Sequence, residues 1–138
     1  MADATWKRVE REKCRELGGE RSGPTGRDTC DCADPVRVGL EIKSYKTFTF
    51  LTKDWEQAVE NAAKVGKIPV LAVKERGRNG RDQVQMRVID HGWMLAAAGR
   101  FDSPAQFTRV GDELVIRLHW PDFVRLYRAA YIDKENIG

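Results

Sequence analysis

Apolar residues spaced three and four positions apart predict three helices along the chain. The first covers residues 4–17 and stops at a pair of glycines, a common helix terminator. The second covers residues 53–65, where apolar residues from Trp55 to Ala63 fall on one face. The third starts at Pro121, because proline is well accommodated in the first turn of a helix.

Shorter runs rich in apolar and β-branched residues predict strands between these helices. The run KIPVLAVKE is almost continuously apolar, as expected of a strand buried on both faces of a sheet. Residues 46–51 predict either a further strand or an extended return, and residues 90–112 mix a short apolar piece with loop. The resulting order, α-β-β-α-β-β-β-α, predicts an α/β domain with a mixed sheet flanked by helices. The other strands are predicted over residues 36–43, 67–75, 83–89 and 113–120.

The composition is typical of one globular domain of 138 residues, with 41% hydrophobic and 33% charged residues. No apolar run approaches the roughly 18 residues of a membrane-spanning helix, and the charged N-terminal sequence predicts an intracellular protein without membrane contact. The formal net charge is only +3, but lysine and arginine concentrate in residues 6–27 and 73–81. Such segments indicate either a local positive field for a polyanion or ordinary solvated surface.

The three cysteines, Cys14, Cys30 and Cys32, predict neither disulfides nor a zinc site. An odd count without secretory features argues against a disulfide framework. The CDC sequence beside one distant cysteine lacks the paired spacing of a zinc ribbon. Both histidines lie far along the chain, and neither His91 nor His119 is assigned a catalytic role.

Glu41 and Lys43 stand two positions apart in the strand predicted over residues 36–43. Alternation along a strand places both side chains on one face. A buried charge needs a partner or a metal ion, so the pair indicates either an ion pair on a solvated edge strand or a functional site. Asp31, upstream of Glu41, favours a functional site, because two converging carboxylates suit a hard cation such as Mg²⁺. A nearby lysine can orient or deprotonate an attacking water.

Two further polar residues have a functional and an ordinary interpretation. Glu10 adjoins the apolar stripe of the first helix and is either a third carboxylate of the site or a surface residue. Gln57 lies off the apolar face of the second helix and is either a solvated amide or a group that reaches the site. Periodicity alone does not choose between these interpretations.

The order of these motifs resembles the phage-encoded PD-(D/E)xK nucleases of the archaeal-type Holliday junction resolvase group. The similarity covers about residues 5–77 and includes a first-helix Glu, a GG-x-R…(S/T)-G-R loop, the Asp, the E-x-K strand, a W-x-Q-A helix and a PVLAV strand. The resemblance implies a restriction-endonuclease-like fold. It also implies a single nuclease domain over residues 1–138, with a catalytic core over about 5–89, an insertion over about 90–112 and a C-terminal strand–helix unit over 113–131.

The resemblance also implies roles for individual residues. The metal ligands fall on Glu10, Asp31 and Glu41, which would bind Mg²⁺ with Mn²⁺ as a substitute. Lys43 is the catalytic lysine, and Gln57 supplies an amide near the scissile phosphate. Asp28 and Asp34 are rival candidates for the first acid, but the spacing of Asp31 to Pro35 and Glu41 fits the motif best, although Cys32 replaces the usual apolar residue after it.

The implied activity is that of a homodimer that nicks paired strands of four-way DNA junctions, without an organic cofactor, in the cytoplasm of a host cell. A PD-(D/E)xK nuclease for flaps or duplex DNA and a non-catalytic DNA-binding module are the alternatives. DNA contacts are predicted from Arg21, Thr25 and Arg27 in a glycine-containing loop, and from Lys46 after the catalytic strand. The basic turn over residues 76–81 is either a second DNA contact or a solvated hairpin.

Overall fold

The structure, a computed structural model, describes residues 2–22, 30–33, 35–100 and 104–133, with side chains described from residue 6 onward. None of the helices in these ranges is long and apolar enough to cross a membrane. In chain order the described elements are α1 (Ala2–Glu16), β1 (Val38–Tyr45), α2 (Thr52–Lys64), β2 (Ile68–Glu75), β3 (Asp82–Arg87), α3 (Val88–Ala98), β4 (Gln106–Val110), β5 (Glu113–His119) and α4 (Trp120–Tyr131).

The five strands form one mixed sheet in the order β1-β2-β3-β5-β4. Strands β1 and β2 are parallel, and the other neighbouring pairs are antiparallel. The helix between β1 and β2 provides the crossover that a parallel pair requires. The predicted mixed sheet with flanking helices is therefore confirmed.

Helices cover both faces of the sheet. On one face α2 packs Trp55 and Ala58 against a cluster that includes Leu71 and Val73 of β2. On the other face α1, α3 and α4 bury a larger core that contains Val70 and Ala72 of the same strand. The continuous apolar sequence of β2 is explained by this burial on both faces.

Two parts of the predicted element order are wrong. Residues 46–51 form no strand and instead connect β1 to α2. Residues 90–112, predicted as an insertion of a short apolar piece and loop, contain most of α3 and all of β4, which is the edge strand on the side of the sheet away from β1. Helix α3 was missed because it follows β3 directly, without an intervening turn residue that would mark the end of the strand.

The prediction that the cysteines form no disulfide is also wrong. Cys14 at the end of α1 is bonded to Cys32, and both are buried. The packing of α1 against residues 30–33 brings the two cysteines together, and their spacing in the sequence carries no sign of it. Cys30 is a free buried thiol, and burial raises its pKa to about 11.

Candidate active site

Strand β1 places Glu41 and Lys43 on the sheet face that is covered by α2. Glu41 pairs with Leu71 of β2 and is 5% exposed, whereas Lys43 is partly exposed. The intervening Ile42 points to the opposite face and joins the larger core. The alternation predicted from the sequence is therefore present, and its polar members lie beside α2.

A side-chain amide of α2 holds Glu41 in place. The side-chain Nδ2 of Asn61 donates a 2.8 Å hydrogen bond to Glu41 Oε1. Asn61 is itself buried. This contact fixes one carboxylate oxygen of Glu41.

Asp31 is attached to the open edge of β1. Its backbone N–H donates to the carbonyl oxygen of Leu40 at 2.8 Å, and its Oδ2 accepts a 2.6 Å bond from the backbone N–H of Ile42. Both bonds hold Asp31 next to Glu41, although it comes from a segment outside the sheet. The two carboxylates are therefore neighbours because of backbone pairing along one strand edge.

Glu10 approaches the same region from α1. Its Oε2 accepts a 2.7 Å hydrogen bond from Arg21 Nε, which forms a partly buried ion pair. The backbone of Arg21 forms an isolated antiparallel β-bridge with that of Cys32, and Cys32 is joined by a disulfide to Cys14 of α1. The helix that carries Glu10 is thus tied covalently to the segment that carries Asp31.

These side chains line one open cavity of about 800 Å³. It lies beside α1 at the C-terminal ends of β1 and β2. Because the two strands are parallel, they bring basic residues from the end of β2 to the same place. The charged side chains that line the cavity are Glu10, Asp31, Glu41, Lys43, Lys74 and Arg76.

Burial and nearby negative charges raise the pKa of Asp31 and of Glu41. Burial first, and then the negative charges of Glu41 and Glu10, raise the pKa of Asp31 to about 7. Burial likewise raises the pKa of Glu41, while the bond from Asn61 and the charge of Lys43 oppose the rise. A cation among these groups would relieve the repulsion, and carboxylate oxygens are the ligands that Mg²⁺ prefers.

The predicted metal ligands share a cavity without forming a closed ligand set. Among the described residues, no three Asp, Glu, His or Cys side chains lie close enough together to enclose an ion. Asp31 and Glu41 are neighbours, whereas the Glu10 carboxylate is bound to Arg21. In chemical type the donors fit a hard divalent cation, with Asp31 and Glu41 as the central pair.

Other predicted site residues lie elsewhere. Gln57 is exposed and does not line the cavity, and Lys46 is exposed just after β1. Arg21, predicted to contact DNA, forms an ion pair with Glu10. Thr25, Arg27, Asp28 and Asp34 lie outside the described residues.

Asn61 and Lys74 were missed from the sequence, and Arg76 was considered only as part of the basic turn over residues 76–81. Asn61 is a polar residue at the buried face of α2, between Ala58 and Ala62, and this interruption of the apolar stripe was a usable signal. Lys74 had no local signal, and the basic turn gave no link between Arg76 and the acids, because only the parallel pairing of β1 with β2 brings both residues to Lys43.

The cavity combines acids that would attract a cation with amines and a guanidinium that would attract an anion. This combination suits a phosphate ester held between a metal ion and positive side chains. Comparisons of the chain with protein-family models, with curated protein sequences and with solved structures found no match, so the geometry of this cavity is the basis for assigning a function.

Proposed function

We propose that the protein is a metal-dependent, structure-selective DNA endonuclease, and specifically a Holliday junction resolvase. The observation that carries this proposal is the meeting of Glu10, Asp31, Glu41 and Lys43 in one open cavity. Acids and a lysine from three separate segments of the chain converge there. An ion pair on a solvated edge strand would involve Glu41 and Lys43 alone.

Asp31 and Glu41 would hold Mg²⁺, or Mn²⁺ in its place, with Glu10 as the third acid. The ion would supply positive charge that polarises the phosphodiester. Lys43 would orient the attacking water and neutralise charge that develops on the phosphate. Asn61 positions Glu41 through its hydrogen bond.

Lys74 and Arg76, which also line the cavity, would bind phosphates beside the cleaved bond. A four-way junction contains four strands in two equivalent pairs, so a homodimer would place one cavity at each strand of one pair. Such an enzyme would recognise the shape and charge of branched double-stranded DNA rather than its base sequence. It would need no organic cofactor and would act in the cytoplasm of a host cell.

A non-catalytic DNA-binding module is the second candidate. The observation that favours it is that two of the acids already have partners, Glu10 in Arg21 and Glu41 in Asn61. In that case the carboxylates would only organise the fold, and the basic residues would bind DNA. The two candidates differ in whether any cleavage occurs with a divalent metal.

The test compares four-way, flap and linear DNA of matched sequence, each incubated with protein and Mg²⁺. We expect paired nicks confined to the four-way substrate. Lys43→Ala should abolish cleavage while retaining junction binding in EDTA. Lys53→Ala, which removes an exposed lysine from α2, is the matched control and should cleave normally.

Each other outcome identifies a different function. Cleavage of all three DNAs at similar rates would indicate a flap or duplex nuclease. Binding without cleavage in Mg²⁺ or Mn²⁺ would support the DNA-binding module. Normal cleavage by Lys43→Ala would mean that the catalytic centre lies elsewhere.

A further inference from the structure

A second cavity of about 510 Å³ opens across β3, β5 and β4, away from the predicted catalytic residues. Its described lining includes Arg81, Arg117 and His119, together with the amides of Gln83 and Gln106, and it contains no carboxylate. Hydrogen-bond donors and positive charge without an acid indicate a site for an anion.

Arg117 is held in place before any ligand arrives. Its Nε donates a 2.8 Å hydrogen bond to Oε1 of Gln85, which is 1% exposed. Its guanidinium lies 4.5 Å from the centre of the Phe50 ring. A guanidinium fixed in this way loses little side-chain entropy when it binds a ligand.

The charge of Arg117 is not neutralised by an acid in the described part of the chain. Among the described residues its Nη atoms have no hydrogen-bond partner, and no carboxylate forms a salt bridge with its guanidinium. Burial lowers the pKa of Arg117, but a guanidinium stays protonated at any physiological pH. A partly buried cation without a counter-ion favours a bound anion.

Arg81 repeats this arrangement on the neighbouring ring. Its guanidinium lies 5.6 Å from the centre of the Phe48 ring, and Phe48 contacts Phe50 edge to face. The side chain of Arg81 forms no ion pair with any described residue. Two arginines therefore flank one aromatic pair, and both line the same cavity.

The strand register relates this cavity to the candidate active site. Glu41 pairs with Leu71, Leu71 with Gln85, and Gln85 with Arg117, so Glu41 and Arg117 lie in one cross-strand row on one face of the sheet. A parallel row connects Lys43 through Val73 and Gln83 to His119 in the same way.

Three strand spacings separate the two ends of each row, or about 14 Å. That distance corresponds to about four base-pair steps along a duplex. The turn between β2 and β3 lies within this interval, and its Arg76 lines the first cavity while its Arg81 lines the second. Positive side chains therefore run from one cavity to the other.

We infer that the second cavity binds a backbone phosphate of the nucleic-acid substrate, about four base-pair steps from the phosphate held in the first cavity. The inference rests on the proposed nuclease function and adds a second contact point for the same substrate. A guanidinium fork binds phosphate oxygens in a bidentate manner, and the amides and His119 supply further donors. Such a contact positions DNA without reading its sequence.

The test measures binding of four-way DNA in EDTA, where no cleavage occurs, between 50 and 200 mM salt. Arg117→Gln should weaken binding about tenfold at low salt, the loss of one charge-assisted contact. It should also reduce the slope of log affinity against log salt by about 0.9, the value for one phosphate contact. In Mg²⁺, its KM should rise while kcat stays unchanged, since the catalytic residues are untouched.

Three variants control for loss of charge and loss of fold. Arg109→Gln removes the same charge from β4. Arg109 pairs with Leu114 and lies on the other face of the sheet from Arg117, so this variant should keep the parent slope. Arg117→Lys keeps the positive charge and should restore the slope. Arg81→Gln removes a cavity residue that is exposed and lies outside the buried core, so it tests the cavity even if Arg117→Gln unfolds.

Equal slopes for Arg117→Gln, Arg81→Gln and the parent would overturn the inference, and so would an equal loss in Arg109→Gln. Titration with inorganic phosphate distinguishes a free anion from DNA. Arg117-dependent phosphate binding with unchanged DNA binding would also overturn the inference. If the parent cleaves no DNA but binds it with this Arg117 dependence, the nuclease function fails and the phosphate site stands. If the parent binds no DNA, both fail.

Discussion

Asp31 accepts a 2.6 Å hydrogen bond from the backbone N–H of Ile42 and thereby joins the open edge of β1. Because Ile42 lies between Glu41 and Lys43 in the sequence, this one bond brings a loop carboxylate to the strand that carries both predicted catalytic groups. The arrangement has an electrostatic cost, since the Asp31 and Glu41 charges repel each other in a partly buried place.

That cost predicts a pH-dependent gain in stability for Asp31→Asn in the metal-free protein. In the folded protein the pKa of Asp31 is raised from 3.8 to about 7. Between about pH 4 and pH 7 the unfolded chain therefore binds fewer protons here than the folded protein. The contribution that protonated Asp31 makes to the free energy of unfolding is complete below about pH 4 and is lost as pH rises through about 7.

Urea unfolding in EDTA at pH 4, 6 and 8 measures this effect. Asp31→Asn should be more stable than the parent at pH 8, and the difference should close towards pH 4. The amide oxygen can still accept the bond from Ile42, so that contact is retained. Asp112→Asn, in the exposed turn between β4 and β5, should show no such trend. A difference that is constant with pH would contradict the raised pKa.

The same residues predict that Mg²⁺ stabilises the parent protein. At a concentration 100 times the dissociation constant, a ligand of the folded state adds about 2.7 kcal/mol to the free energy of unfolding. Asp31→Asn and Glu41→Gln should lose this gain, whereas Glu60→Gln on the exposed side of α2 should keep it. Since protons compete for Asp31, the gain should weaken below about pH 7.

Thermal unfolding with and without Mg²⁺ at pH 6 and pH 8 measures this prediction without reference to cleavage. An equal shift for the parent and for both carboxylate variants would place any bound metal at another site. No shift for the parent at high Mg²⁺ would favour the DNA-binding module.

The sequence predicted those parts of the site that depend on local periodicity. The two-residue alternation placed Glu41 and Lys43 on one strand face, and the spacing of Trp55 and Ala58 defined α2. Both patterns come from residues that are near neighbours along the chain. Such local patterns indicate which residues share a face of a helix or strand, and they do so without information from the rest of the fold.

The parts that could not be predicted depend on contacts between distant segments. Lys74 reaches the cavity only because β2 is parallel to β1. Arg117 shares a row with Glu41 only through a register of four strands. Helix α3 begins at the residue after β3 ends, and no glycine or proline marks this boundary, so the helix could not be recognised from the sequence.

The disulfide between Cys14 and Cys32 predicts that reduction destabilises the region of the site. The bond closes a loop of about 18 residues that joins α1 to the Asp31 segment. A crosslink of this size contributes roughly 3 kcal/mol. Cys14→Ala combined with Cys32→Ala should therefore lower the free energy of unfolding by about 2–4 kcal/mol.

Urea unfolding with and without a reducing agent measures the effect. Reductant should destabilise the parent and leave the double variant unchanged. In the denatured, unreduced parent, thiol titration should detect one group, Cys30. Three titratable thiols would show that the bond is not formed.

Gly39→Ala should disturb the packing of α2 on β1, and with it the support of Glu41. An added Cβ would lie 2.6 Å from the Cβ of Ala62 and 2.9 Å from the Sγ of Cys30. Neither neighbour can move easily in a packed interior, so the helix must shift, at a cost of about 1–3 kcal/mol. Asn61 precedes Ala62, so the shift should also loosen its bond to Glu41 and slow cleavage.

Gly92→Ala is the matched control, because its added Cβ meets nothing within 4 Å. Within α3 the same substitution should stabilise the protein by up to about 1 kcal/mol, since alanine favours the helix over glycine. Chemical denaturation of the two variants and the parent measures both effects. If Gly39→Ala were as stable as Gly92→Ala, α2 could not pack on β1 as closely as the structure shows, and the contact between Asn61 and Glu41 would lose its basis.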